Sequence, residues 1–213
     1  MKIYFVRHGE SESNAGDILL GPTTGLTPKG REQAAFVAER LKKIPIDIIL
    51  SSTLTRAKQT AEIVNDELSK PIQFSDLLIE KKTPSEKIGK PKDDPERLKI
   101  DEVINKNFNV TGWHYSDEEN VEDLMERGFK ALAFIKKQKA ENILVVTHGL
   151  FMRMIIARIT MGETLTSKEF WRFMITFETE NTGITVCERE DVIPGIRDNE
   201  WKISSWNDSA HLG

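Results

Sequence analysis

The chain predicts an α/β protein, a three-layer α/β/α sandwich with a mostly parallel central sheet and an inserted cap segment. Three observations carry that expectation. Short β-branched runs are apolar on consecutive residues, as strands buried on both faces are. Helical patterns alternate with those runs, the rhythm of strand–helix–strand units. The length, 213 residues with 38% hydrophobic, suits one sizeable core, so residues 1–213 read as a single domain.

Taken in order, Ile3–Val6 is the first strand, and it stops abruptly at Arg7, His8 and Gly9. Residues 28–43 form a helix. Thr27 caps it, Pro28 takes the first position, and Ala34, Ala35, Val37, Ala38 and Leu41 make its apolar side. Ile46–Leu50 is the second strand. Residues 53–68 are helical, with Leu54, Ala57, Ala61, Val64 and Leu68 three or four residues apart. Residues 81–115 break the rhythm, being rich in Lys, Pro and Asp. A structureless loop of that length is unusual in a compact domain. The segment is expected to be an insertion with short helices lying over the active site.

Residues 117–139 form the next helix. Ser116 and Glu119 supply a capping box, and Val121, Leu124, Met125, Gly128, Phe129 and Leu132 the apolar stripe. Ile143–Val146 is a third strand, ending at Thr147, His148 and Gly149. A strongly apolar helix follows over 149–161. Near the end, "GITVCER" and "WKISSWN" read as a hairpin or two edge strands.

Charged residues make up 30% of the chain and the net charge is −4, which argues against nucleic acid or an anionic membrane as partner. Cys187 is the lone cysteine, as suits a reducing cytoplasm. The opening "MKIYFVRHG" is too short in its apolar run for a signal peptide, and no stretch approaches the roughly 18–20 apolar residues of a membrane span. A cytoplasmic location is expected.

Ligands of open α/β sheets bind beyond the carboxyl ends of the strands. Arg7, His8, Ser51, Ser52 and His148 fall just past such ends, and Arg56 lies in the first turn of the following helix. Two arginines, two histidines and a helix N-terminus make an electropositive cup of phosphate size. Neutral imidazole is a good nucleophile on phosphorus and a good leaving group. A second, protonated histidine can bind the phosphoryl oxygens. The glycine after the first lets the chain turn and a ligand approach.

The stretch "RHGESESN" with the later "THG" closely resembles the histidine phosphatase superfamily, of phosphoglycerate-mutase-like fold. The resemblance continues through "GLTPKGREQA", "SSTLTRAKQTAEIV", "YSDEENVEDLMERG", "VVTHGLFMRMI" and "NTGITVCE", and ends with "NDSAHL". It implies that His8 becomes a phosphohistidine and that Arg7, Arg56 and His148 hold the phosphoryl group. Asn14 matches the family's phosphate-contacting asparagine; on its own it reads equally as a loop cap. Glu80, in "LLIE", matches the position of the family's general acid, and Glu86 is the alternative. One such carboxylate can protonate the leaving oxygen and then deprotonate water. Glu10 reads as a structural partner of a nearby cation.

The resemblance thus implies a metal-independent phosphomonoesterase of the histidine phosphatase type, needing no cofactor and acting on a small phosphorylated metabolite. A cofactor-dependent phosphoglycerate mutase is the alternative. The family's mutases carry Glu-Arg-His-Tyr-Gly at the acid position, where this chain has Glu80-Lys81-Lys82-Thr83-Pro84. A non-catalytic module binding phosphorylated ligands is a second alternative, and all the candidate catalytic residues being present weighs against it.

A cysteine phosphatase needs an arginine six residues after its cysteine, and Ile193 stands there. "GLTPKG" lacks the Lys-Ser/Thr of a P-loop, since Arg31 and Glu32 follow it. Asp93 and Asp94 read as a solvated turn rather than a metal site. Trp113-His114-Tyr115 is either a pocket wall or a latch before the next helix, and His211 is either structural or a late contact to the rim. Lys81, Lys82, Lys87, Lys90 and Lys92 suit a further anionic group on the substrate, or they only solvate the insertion.

Overall fold

A computed structural model describes residues 1–108, 110–189 and 201–213. Among these, six strands form one sheet: β1 (Lys2–Arg7), β2 (Ile48–Ser51), β3 (Ile72–Phe74), β4 (Asn142–Thr147), β5 (Ile184–Arg189) and β6 (Trp201–Asp208). Their order is β3-β2-β4-β1-β5-β6. β1, β2, β3 and β4 run parallel, whereas β5 and β6 add an antiparallel edge. The sheet is therefore mostly parallel, as expected.

The strands are buried on both faces because successive side chains point opposite ways. Tyr4, Val6, Ile49, Leu144 and Val146 pack with Val37, Ala38, Leu41, Ala57 and Val64. These last come from α2 (Pro28–Leu41) and α3 (Thr55–Leu68). Ile3, Phe5, Leu50, Ile143 and Val145 pack on the other side with Leu124, Ile135, Met152 and Ile155. Those belong to α5 (Val121–Lys136) and α6 (Gly149–Met161), and α7 (Ser167–Thr176) adds Phe170 and Phe173. Three layers result. A short α1 (Glu12–Ala15) follows β1, and α4 (Pro95–Asn107) lies in the insertion.

Thr27 caps α2, its hydroxyl accepting from Gly30 N at 3.0 Å, with Pro28 next as expected. The α5 expectation needs correcting. The helix starts at Val121, and Asn120 with Asp123 forms the capping box. Ser116 and Glu119 do not cap it, because Arg127 draws the Glu119 carboxylate to itself at 2.6 Å. Phe129 is half exposed; the buried stripe is Val121, Leu124, Gly128, Ala131 and Ile135. β2 begins at Ile48, two residues later than expected, because the chain turns at Ile46, whose N–H bonds Ile44 O. β3 and α7 escaped the sequence reading.

The insertion holds a short 3-10 helix, Ser85–Lys87, and one longer helix, α4. Asp94 is not a free turn residue: its carboxylate caps α4 by accepting from Arg97 N at 2.9 Å. Trp113 and His114 act as the latch, not as a wall of the main cavity. Trp113 O accepts from Asn120 Nδ2, and His114 Nε2 lies 2.7 Å from the Asp123 carboxylate.

Candidate active site

A cavity of about 710 Å³ opens beyond the carboxyl ends of β1, β2 and β4. Arg7, His8, Asn14, Arg56 and Glu80 line it. His148 does not; it is fully enclosed behind His8, with ring centroids 5.0 Å apart.

His8 follows the last residue of β1 and is almost wholly buried. Its Nδ1 lies 2.7 Å from Gly9 O, so Nδ1 carries the proton. Its Nε2 accepts from Arg56 Nε at 3.2 Å and therefore holds the lone pair. Burial pushes the imidazole well below its usual range, and the charges of Arg56 and Arg7 add to that. The ring is thus a neutral base at physiological pH.

His148 is also neutral. Enclosure, then His8 and the surrounding arginines, hold it well below the ordinary imidazole range. Ser52 Oγ accepts from Leu54 N at 3.2 Å and lies 2.8 Å from His148 Nε2. The buried His148 Nδ1 has no hydrogen-bond partner among the described residues, and neither does Arg7 Nε, a guanidinium donor suited to an anion.

Arg7 reaches the cavity across Gly149 and donates to Thr179 O at 2.6 Å. A Cβ on Gly149 would lie 3.3 Å from Arg7 Nε and 3.0 Å from Thr179 Oγ1, so glycine is needed to let the guanidinium pass. Gly9 serves packing rather than ligand approach. A Cβ there would sit 2.3 Å from Gly30 O of α2. Burial lowers both Arg7 and Arg56, and the charge of Glu80 opposes it.

Glu80 sits on the N-terminus of α6. Its carboxylate accepts from Lys81 N at 3.0 Å, Phe151 N at 3.0 Å and Leu150 N at 3.3 Å. Glu86 is exposed and outside the cavity wall, so of the two candidates Glu80 shares the cavity with His8. Asn14 Oδ1 accepts from Ser11 Oγ at 3.0 Å, which leaves its amide N–H groups for a ligand.

The sequence profile of the histidine phosphatase superfamily (branch 1) matches residues 3–209. The chain belongs to that superfamily. It is 31% identical over 220 residues to the metal-independent phosphoserine phosphatase of Arabidopsis thaliana, which covers 99% of this chain and 83% of that one. It is 27% identical over 180 residues to the adenosylcobalamin/alpha-ribazole phosphatase of Escherichia coli (strain K12), across 82% and 85% of the two chains. Its fold is similar to that of YhfR of Bacillus stearothermophilus, with a TM-score of 0.80, 24% identity and coverage of 100% and 99%.

This histidine phosphatase superfamily member carries two further arginines that sequence reasoning missed. Arg153 of α6 lines the cavity, with Nε bonded to Gly149 O at 3.0 Å and Nη1 to Met174 O at 2.7 Å. Its signal was a charge in the first half of a mostly apolar helix. Arg127 of α5 holds the chain that bears Glu80. It donates to Ile79 O at 2.8 Å, Leu77 O at 3.3 Å and Glu80 O at 3.3 Å, and its guanidinium covers the Phe151 ring at 3.7 Å. Glu10 is structural as expected, accepting from Thr27 Oγ1 at 2.9 Å and pairing with Lys29 at 3.0 Å. His211 bonds Thr182 Oγ1 at 3.0 Å and lies outside the cavity wall. Among the described residues no cluster is arranged to hold a metal ion, and no helix is long and apolar enough to cross a membrane.

Proposed function

We propose that the protein is a metal-independent phosphomonoesterase that works through a phosphohistidine on His8, with a small phosphorylated metabolite as substrate. The observation that carries this reading is the neutral His8, its lone pair on Nε2, in a cavity shared with Arg7, Arg56 and Glu80. Arg7 and Arg56 bind the phosphoryl oxygens and supply the positive charge that a metal gives elsewhere, and His148 backs the His8 ring from behind. Asn14 adds an amide donor.

Nε2 of His8 attacks phosphorus and the P–O ester bond breaks. The leaving alkoxide takes a proton from the Glu80 carboxyl. Water then attacks phosphorus, Glu80 takes its proton, and the P–N bond breaks to release phosphate and neutral His8. Three backbone N–H bonds fix the Glu80 carboxyl in the cavity wall. The relative from Arabidopsis thaliana, named a metal-independent phosphoserine phosphatase, supports hydrolysis over mutase chemistry. The test is rapid acid quench with labelled phosphomonoester in the presence of a chelator. Acid-labile phosphate on the wild type and none on His8→Ala is the expected result. Turnover by His8→Ala, or activity that vanishes in chelator and returns with magnesium or zinc, overturns it.

A further inference from the structure

The part of the cavity beyond the phosphoryl cup defines what the alcohol of the ester can be. It is built from two loops, residues 17–22 and 79–92, zipped together by their backbones. Leu19 N donates to Lys90 O at 3.0 Å, Gly89 N to Leu19 O at 2.8 Å and Lys92 N to Asp17 O at 2.8 Å. The apolar side chains of Leu19, Leu20, Leu54, Ile79, Ile88 and Leu150 line this part. Leu20 and Ile88 stand 37% and 43% exposed at its lip, where aliphatic groups gain most from being covered by a ligand.

Cations for a second anionic group are lacking. Lys81 pairs with the buried Glu118 at 3.1 Å and Lys82 with Asp117 at 3.1 Å. Lys87 is held by Asp101, Lys90 by Glu96, and Lys92 lies 3.7 Å from Asp17. Each of the five lysines thus has a carboxylate beside it, which favours the second of the two readings, that they attract no further anion. Arg153 has two nitrogens bonded to backbone carbonyls and is flanked by the charges of Glu80 and Glu178. In the cavity wall Arg7, Arg56, Arg153, Lys81 and Lys82 face Glu80, Asp117 and Glu178, and both lysines are held by carboxylates, so a phosphate dianion takes up the positive charge that remains. The volume, about 710 Å³, falls in the range of roughly 300–1,000 Å³ that holds ligands much larger than a three-carbon acid.

We infer that the preferred substrate is a phosphomonoester of an uncharged, largely apolar alcohol, rather than one bearing a carboxylate. This rests on the phosphomonoesterase reading for its chemistry, but the preference for an apolar tail is a property of binding. The test therefore has two readouts. Calorimetry with n-alkylphosphonates from ethyl to hexyl reads the pocket without turnover, and kcat/KM for the matching alkyl phosphates reads the reaction at nearly constant leaving-group basicity. Affinity should rise about two- to fourfold per added methylene. Butyl phosphate should be a better substrate than O-phosphoserine or 3-phosphoglycerate by about tenfold or more, the scale of one unpaired charge in a partly buried site. Leu20→Ser with Ile88→Ser, both at exposed positions, should flatten the dependence on chain length. Flat affinity across the phosphonates overturns the inference, and so does a preference for either carboxylate substrate. Rising affinity with no turnover of any ester supports the pocket and sinks the phosphatase reading instead.

Discussion

The two halves of the cavity are built on opposite plans. The phosphoryl half sits on strand ends and helix starts, is buried, and leaves the donor Arg7 Nε unmet. The leaving-group half is made of loops, is partly exposed, and satisfies its own lysines with neighbouring carboxylates. A site that must stabilise developing charge keeps its donors fixed and unmet until the ligand arrives. A site that only selects a shape can close its polar groups on themselves and offer apolar surface.

The first half should be the more fragile. His8→Ala should lower kcat by roughly ten-thousandfold or more, as removing a nucleophile does. A residual rate within tenfold of wild type in steady-state assays would erase the contrast. Glu80→Gln should slow alkyl phosphates by about a hundredfold or more. Para-nitrophenyl phosphate should be slowed less in its first step, since nitrophenolate leaves unaided. A stopped-flow burst of nitrophenol would then mark slow loss of phosphate from His8. If Glu86→Gln shows this pattern and Glu80→Gln does not, the acid has been misassigned.

Arg127 sharpens the comparison, because it does not itself line the cavity yet holds the backbone at residues 77–80. Arg127→Met should cost about tenfold with alkyl phosphates, and far less when combined with Glu80→Gln, because both changes disable one carboxylate. Equal losses in the two backgrounds would mean that Arg127 serves only the fold.

The buried histidines predict an acid dependence. Both are depressed below the ordinary imidazole value of 6.5. The unfolded chain takes up protons near that pH while the folded chain refuses them. Stability is therefore full above about pH 6.5 and declines as pH falls from there towards the lowered values, where the decline ends. Thermal unfolding at several pH values should show this, and His148→Asn should reduce the slope. Catalysis should persist below pH 6.5, because His8 stays neutral there; a kcat/KM profile falling at 6.5 would contradict the burial argument. The smallest effects belong to the loop half. Lys90→Ala and Lys92→Ala should change kcat/KM by less than about twofold and stability by at most ~1 kcal/mol, the worth of exposed ion pairs. A tenfold loss with either variant on a carboxylate substrate would give these lysines the anion-binding role that their ion pairs deny.

Where residues act on near neighbours, the sequence was legible. Thr27 and Pro28 announce α2, the β-branched runs announce β1 and β4, and Arg7-His8-Gly9 with His148-Gly149 marks the rim. Part of what was missed was equally local. Thr166 and Glu169 cap α7 in a box visible in the text. β3 has only three residues, none of them buried, so it carries no apolar pattern to read. The start of α5 was ambiguous, since Ser116 with Glu119 and Asn120 with Asp123 are overlapping caps, and the choice depends on Arg127, in the second turn of the helix.

By itself the sequence determined the alternation of strands and helices and the two histidines at strand ends, because periodicity and capping act over three or four residues, and its motifs carried the resemblance to a superfamily. Only the tertiary structure decided that Glu80 rests on the N–H groups of Leu150 and Phe151, some seventy positions away, and that Gly9 is a glycine because Gly30 leans on it. It also decided that Lys81 and Lys82 are already paired, with Glu118 and Asp117 across the insertion. Whether a charge is free or neutralised depends on what lies within a few ångströms of it, and for residues that meet only after the chain has folded, no local pattern records that distance.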